Sequence, residues 1–189
     1  MVFDLGNVLV EWDPRRLLSD AYIEQTHFFL WNAELDRGVP FEELVARMRD
    51  EFPHFADETQ KFHDRWEETV GSPFADVLEM AAALRARGVR TYVLSNSSAE
   101  TLPRSPVVQE ILEQFDGALI SGAVGLTKPD AAIFRFAEEV FGLDPSTTWF
   151  IDDSEVNVDG ALAVGWNAIH FRSAAGLKAD LVGAGLLLG

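Results

Sequence analysis

Cysteine is absent from this chain. That excludes disulfides and thiolate metal sites, and a cytoplasmic location is the expectation for such a chain. Basic residues are scarce: 15 Lys and Arg stand against 31 Asp and Glu, a formal charge of −16. A protein so acidic has no basic face with which to displace counterions from a nucleic-acid backbone, so that class of partner is set aside. No apolar run approaches the roughly 20 residues that a membrane-spanning helix needs, and none is expected. The N-terminus has no basic segment leading into an apolar one, so no signal peptide is expected. Two nucleotide-binding signatures are also missing. There is no Gly-x4-Gly-Lys-Ser/Thr loop, and no Gly-x-Gly-x-x-Gly follows a strand. Internal repeats and low-complexity tracts are absent too.

What remains is ordinary for a globular protein: 189 residues, 48% hydrophobic and 24% charged. That length suits one domain, or one domain carrying an insertion. The opening stretch, Met1-Val-Phe-Asp-Leu-Gly-Asn-Val-Leu-Val10, reads as a buried strand that delivers Asp4 into a Gly-Asn turn before a second apolar run. From Asp13-Pro14 to about Gly71 the pattern is helical, with no convincing strand. Asp13 reads as an N-cap ahead of Pro14. Phe41, Leu44, Val45, Met48 and Phe52 form one helical face that starts after Pro40 and stops at Pro53. Asp57 with Gln60 suggests a capping box, followed by a stripe of Phe62, Trp66 and Val70.

Beyond Phe74 strands and helices alternate. A helix spans 74–87, and strands are expected at 91–94, 118–120, 149–151 and 167–171, with helical faces between them. The tail from Leu181 is either a docking segment or a frayed end. Alternation of this kind implies right-handed crossovers and a parallel sheet covered on both faces. The fold class is therefore α/β: a parallel sheet core, residues 1–12 and 72–189, with a small helical unit, residues 13–71, inserted after the first strand.

In such sheets ligands sit beyond the carboxyl ends of the strands. The residues expected there are Asp4, Ser95-Asn96, Lys128 and Asp152-Asp153. Singly, each has an ordinary structural explanation as a turn, cap or loop residue. Together they bring three carboxylates, a hydroxyl and an ammonium to one edge. Carboxylates at about 4 Å repel by roughly 4 kcal/mol per pair at an effective dielectric near 20, so the cluster calls for a cation. Hard oxygen donors without His or Cys select Mg²⁺.

The ordered set Phe3-Asp4-Leu-Gly-Asn-Val8, Leu94-Ser95-Asn96, Lys128-Pro129-Asp130 and Ile151-Asp152-Asp153, with Asn157 beyond it, resembles the four motifs of the haloacid dehalogenase (HAD)-like superfamily. The resemblance covers essentially the whole chain, the helical insertion falls at that family's cap position, and the fold it implies is a Rossmann-like parallel sheet core with a small helical cap. It implies a phosphatase acting on a small phosphorylated metabolite, a sugar phosphate being one candidate. Asp4 would be the nucleophile, forming an aspartyl-phosphate. Asp4, the carbonyl of Gly6, Asp152 and Asp153 would bind Mg²⁺. Ser95, the Asn96 backbone and Lys128 would hold phosphoryl oxygens, and Asn157 would orient the metal ligands from behind. Trp12 and the stretch Trp31-Asn32 to Asp36-Arg37 are the segments expected to meet substrate. The molecule would work as a monomer or homodimer, with no nucleic-acid or membrane partner.

One departure stands out. Phosphatases of the family usually carry a second aspartate two residues after the nucleophile, and here that position is Gly6. Losing a general acid costs about 10²–10⁴-fold. Either another group supplies the proton (His27, His54, His63, Glu34 and Asp36 are the candidates), or the leaving group is good, or catalysis is weak or lost. A 2-haloacid dehalogenase is the main alternative, since halide needs no proton. Dehalogenases of the family, however, look like Ser-Ser-Asn where this chain has Asp152-Asp153-Ser154. A phosphorylatable receiver places its acidic pair after the first strand, the reverse of the order here.

Overall fold

The computed structural model describes residues 1–188. In chain order β1 is Val2–Phe3 and β2 is Val10–Trp12. The helices α1 (Asp20–Gln25), α2 (Phe28–Leu35), α3 (Phe41–Glu51) and α4 (Ala56–Asp64) follow, and then β3 (Val70–Pro73). The alternating part comprises α5 (Ala75–Ala86), β4 (Tyr92–Ser95), α6 (Pro106–Leu112), β5 (Gly117–Ile120), α7 (Ser121–Val124), α8 (Ala131–Phe141), β6 (Trp149–Asp152), α9 (Glu155–Ala163), β7 (Asn167–His170) and α10 (Ala174–Gly183).

Five strands form one parallel sheet in the order β5-β4-β1-β6-β7. Strand β1 is central because its two residues, Val2 and Phe3, are apolar on both sides of the backbone and fully buried. Alternation along the strands then builds two cores. Phe3, Val93 and Ile151 face helices α5, α6 and α10 through Val77, Leu84, Ile111 and Leu181. Val2, Leu94 and Phe150 face α8 and α9 through Ile133, Phe134 and Ala161. Leu181 is buried, and Leu186 and Leu187 pack against the first core, so the tail docks rather than frays.

The insertion departs from its sequence reading at both ends. Asp13 does cap Pro14, its carboxylate accepting from Arg15 N–H at 2.9 Å, but it starts only a single 3-10 turn. The first α-helix begins later, behind Ser19, whose hydroxyl accepts from Tyr22 N–H. No capping box forms at Asp57, which lies inside α4, while Gln60 binds Arg49 and Asp64. Trp66 sits in a separate 3-10 turn, and Val70 belongs to β3, which pairs antiparallel with β2 in the register Trp12↔Val70. Val70 is β-branched and Gly71 and Pro73 are poor helix formers, so pairing with β2 wins over continuation of the helix. The two strands form a ribbon through which the chain leaves and re-enters the sheet. Inside the insertion, rings of Tyr22, Phe28, Trp31, Phe41 and Phe62 pack largely edge-to-face around Phe28 and Phe62.

Candidate active site

The register places the chemistry. Phe3 pairs with Val93 on one side and Ile151 on the other. One step further on, Asp4 therefore stands beside Asp152, and the end of β4 brings Ser95 to the same rim. The Asp4 N–H donates to the Ile151 carbonyl at 2.8 Å, which keeps Asp4 in the sheet as the chain turns away. The turn uses Asn7 at φ 57°, a left-handed conformation that asparagine tolerates better than most residues. The Asn7 side chain accepts from Trp12 N–H at 3.1 Å, and Trp12 in turn stacks on Phe28 of the insertion at 6.4 Å.

Lys128 is the hub. Its ammonium donates to Asp4 Oδ1 at 2.7 Å and to Asp152 Oδ2 at 2.6 Å, with all three side chains buried or nearly so. Asp152 is also held by Ser154 N–H at 2.8 Å and by the Asn157 amide at 3.1 and 3.2 Å. These donors satisfy the oxygens of a carboxylate that is out of water. Burial pushes Asp4 above the usual carboxylate range, with Lys128 opposing it. Burial, then the Asp152 charge, does the same to Asp153. Lys128 is raised, because the two carboxylates outweigh its burial.

Three carboxylates, Asp4, Asp152 and Asp153, offer oxygens within 4.8 Å of one another. A single ammonium faces these three carboxylates, so the cluster is short of positive charge. A hard dication fits that donor set and that charge.

Ser95 Oγ shares a 2.8 Å hydrogen bond with Ser97 Oγ on the same rim. The Asn96 side chain has a role that spacing could not give it. Its amide donates to the Lys128 carbonyl at 2.9 Å, and its oxygen accepts from Lys128 N–H at 2.8 Å. A cavity of about 180 Å³ opens above these groups. Asp4, Gly6, Ser95, Asn96, Lys128, Asp153 and Asn157 line its polar floor, while Trp12, Leu35, Trp66, Val70 and Leu102 make an apolar wall.

Of the expected substrate residues, Trp12 lines this cavity. Arg37 is exposed and lies outside the lining. It follows α2, where the chain turns toward solvent, and its neighbour Asp36 faces inward instead. Trp31 is buried in the aromatic core of the insertion, whereas Asn32 reaches the cavity. Leu102 and Thr101 also line it. They were invisible in the sequence because they lie after β4 in a segment with no motif.

One rim of a parallel sheet thus gathers a buried carboxylate, a buried ammonium and a donor set suited to a hard cation. A family model described as haloacid dehalogenase-like hydrolase matches residues 1–165, and the chain belongs to that family. A sesquiterpene phosphatase of Aspergillus oryzae is 24% identical over 191 residues, covering 89% of this chain and 87% of that one. An (S)-2-haloacid dehalogenase of a Pseudomonas species is 28% identical over 101 residues, 53% of this chain and 44% of the dehalogenase, so the match spans under half of that relative. Among solved structures, a HAD family enzyme from Bacteroides thetaiotaomicron, a mutant in complex with magnesium and inorganic phosphate, has the same fold. It superimposes with a TM-score of 0.70 at 21% identity, covering 90% of this chain and 92% of that one. Among the described residues no helix is long and apolar enough to cross a membrane.

Proposed function

We propose that the protein is a Mg²⁺-dependent phosphatase that hydrolyses a small organic phosphate monoester through an aspartyl-phosphate on Asp4. The observation that carries this reading is the Lys128 ammonium bridging Asp4 and Asp152 beside a third carboxylate, Asp153. Such a cluster suits neutralisation of a phosphoryl dianion, the main obstacle to attack by another anion. A metal-free displacement of halide has no use for Asp152 and Asp153. Support also comes from the phosphatase relative, matched along most of both chains, whereas the dehalogenase match covers about half of this one.

Asp4, the Gly6 carbonyl, Asp152 and Asp153 would hold the ion, which when bound supplies positive charge to the phosphoryl oxygens. Asn157 and Ser154 N–H keep Asp152 aimed. Asp4 attacks phosphorus, and Lys128, the Ser95 hydroxyl and the Asn96 N–H take the phosphoryl oxygens. Covalent attack divides hydrolysis into two easier steps. The helical segment 13–71 acts as a cap: its Leu35, Asp36 and Trp66 roof the cavity and leave room for a small organic group.

The test is phosphate release from a panel of small phosphate monoesters, with and without Mg²⁺, using wild type and Asp4→Asn. Activity should need both the ion and Asp4, and release that survives either removal discards the mechanism. Chloride release from 2-chloropropionate, run in parallel, would instead favour the dehalogenase reading.

A further inference from the structure

The proposed reaction leaves one proton unaccounted for, and residue 6 does not supply it. A Cβ at Gly6 would meet only Trp12 Cβ at 3.8 Å, ordinary contact, so the space at that carbon does not demand glycine. Among the five side chains that the sequence offered instead, the structure separates one from the rest. His27 and His54 are exposed. His63 sits between Asp64 at 2.9 Å and Glu42 at 3.5 Å, and Glu34 is paired with Arg47 at 2.7 Å. None of these four lines the cavity; Asp36 does, together with Asp4, Gly6 and Lys128.

Its position is built rather than incidental. The Asp36 carbonyl accepts a 2.6 Å hydrogen bond from Ser121 Oγ, whose oxygen also accepts from Ser97 N–H at 2.9 Å. That chain fastens the end of α2 to the rim of the sheet beside Ser95. Two residues on, Gly38 has φ +90°, and a Cβ there would lie 2.7 Å from the Gly122 carbonyl oxygen, an approach only glycine allows. Asn32 donates to Asp36 Oδ2 at 3.3 Å, and among the described residues Oδ1 takes no hydrogen bond. Withdrawal from water pushes the carboxyl up to about 7, against the pull of Lys128 and Arg37. A group of that strength is half protonated near neutrality, which suits both giving and taking a proton.

We propose that Asp36, carried by the helical insertion, is the catalytic acid and base that stands in for the missing group at residue 6. The inference rests on the phosphatase reading. As Asp4 bonds to phosphorus and the bond from phosphorus to the ester oxygen breaks, the Asp36 carboxyl passes its proton to that oxygen, releasing the alcohol. The Asp36 carboxylate then takes a proton from the water that attacks the aspartyl-phosphate. The bond between phosphorus and the Asp4 oxygen breaks, inorganic phosphate leaves, and both side chains return to their starting states.

The experiment compares wild type, Asp36→Asn and Asp4→Asn on phenyl phosphate and 2,4-dinitrophenyl phosphate with Mg²⁺, reading kcat/KM. That quantity reports the steps through release of the phenol, where only a poor leaving group needs the proton. For Asp36→Asn we expect a loss of about 10²–10⁴-fold on phenyl phosphate and a much smaller loss on the dinitrophenyl ester. Asp36→Ser should repeat the pattern, and Asp36→Glu should recover part of the phenyl phosphate activity. Equal losses on both esters would make Asp36 a positioning residue and overturn the proposal, as would no loss on either. If wild type releases no phosphate that depends on Asp4, the phosphatase reading itself fails. Release that depends on Asp4 but is indifferent to Asp36 removes only this inference.

Discussion

Asn96 and Lys128 clasp each other across the rim of the sheet, amide to carbonyl at 2.9 Å and N–H to amide oxygen at 2.8 Å. The asparagine thus fixes the backbone from which the lysine reaches Asp4 and Asp152. Asn96→Ala removes both bonds and should cost about 1–3 kcal/mol of stability. It should also lower kcat, because the ammonium loses its seat. Urea unfolding and steady-state kinetics check both, and an Asn96→Ala protein with wild-type kcat would show that the clasp does not position Lys128.

Lys128 is the only counter-charge in hydrogen-bond contact with buried Asp4 and Asp152 among the described residues. Lys128→Met strands two carboxylates out of water, and breaking a buried pair in this way costs about 3–5 kcal/mol. Protonation relieves the stranded charges, so the variant should regain part of that loss on acidification. Unfolding curves between about pH 5 and pH 8 test this. A deficit that stays constant with pH would mean that the carboxylates find another partner.

Three carboxylates against one ammonium in the acidic cluster predict that Mg²⁺ stabilises the folded chain. At about 100 times its Kd a ligand adds about 2.7 kcal/mol, which for a chain of this size is a rise in Tm of roughly 5–10 °C. Asp152→Asn should abolish the rise. Thermal melts with Mg²⁺ and with chelator decide it without any knowledge of the substrate.

Asp36 carries a stability signature independent of turnover. Its carboxyl is held up to about 7 in the folded chain, against about 3.9 for a free aspartate. Over the window between those values the folded state keeps a proton that the unfolded state has lost. The contribution of Asp36 is therefore fully present below about pH 4 and is lost as pH rises through about 7, on the order of a few kcal/mol in all. Asp36→Asn lacks this dependence. Its stability relative to wild type should improve from about pH 5 to about pH 8, and a flat difference in urea unfolding would contradict the burial assigned to Asp36.

Much of this was legible in one dimension. Short apolar runs alternating with amphipathic stretches imply a parallel sheet, and acids, a serine and a lysine just past those runs mark its rim. Local patterns were weaker guides where two structures compete for the same residues. Val70 reads as the next turn of a helical stripe yet pairs with Trp12, because a strand partner 58 residues away outweighs local periodicity. Asn96 and Trp31 were visible as residues but not in their roles, since one side chain turns to the Lys128 loop and the other into an aromatic core.

Strand period and residue type are local properties, so the sheet, the order of its strands' chemistry and the charge imbalance at its edge were already written in the amino-acid order. That Lys128 bridges two particular acids, and that Asp36 enters the cavity while its neighbour Arg37 and three histidines do not, follows from long-range packing. Those outcomes depend on the seam where α2 meets Ser121 and Gly122, a contact between residues some 85 positions apart that no local pattern encodes.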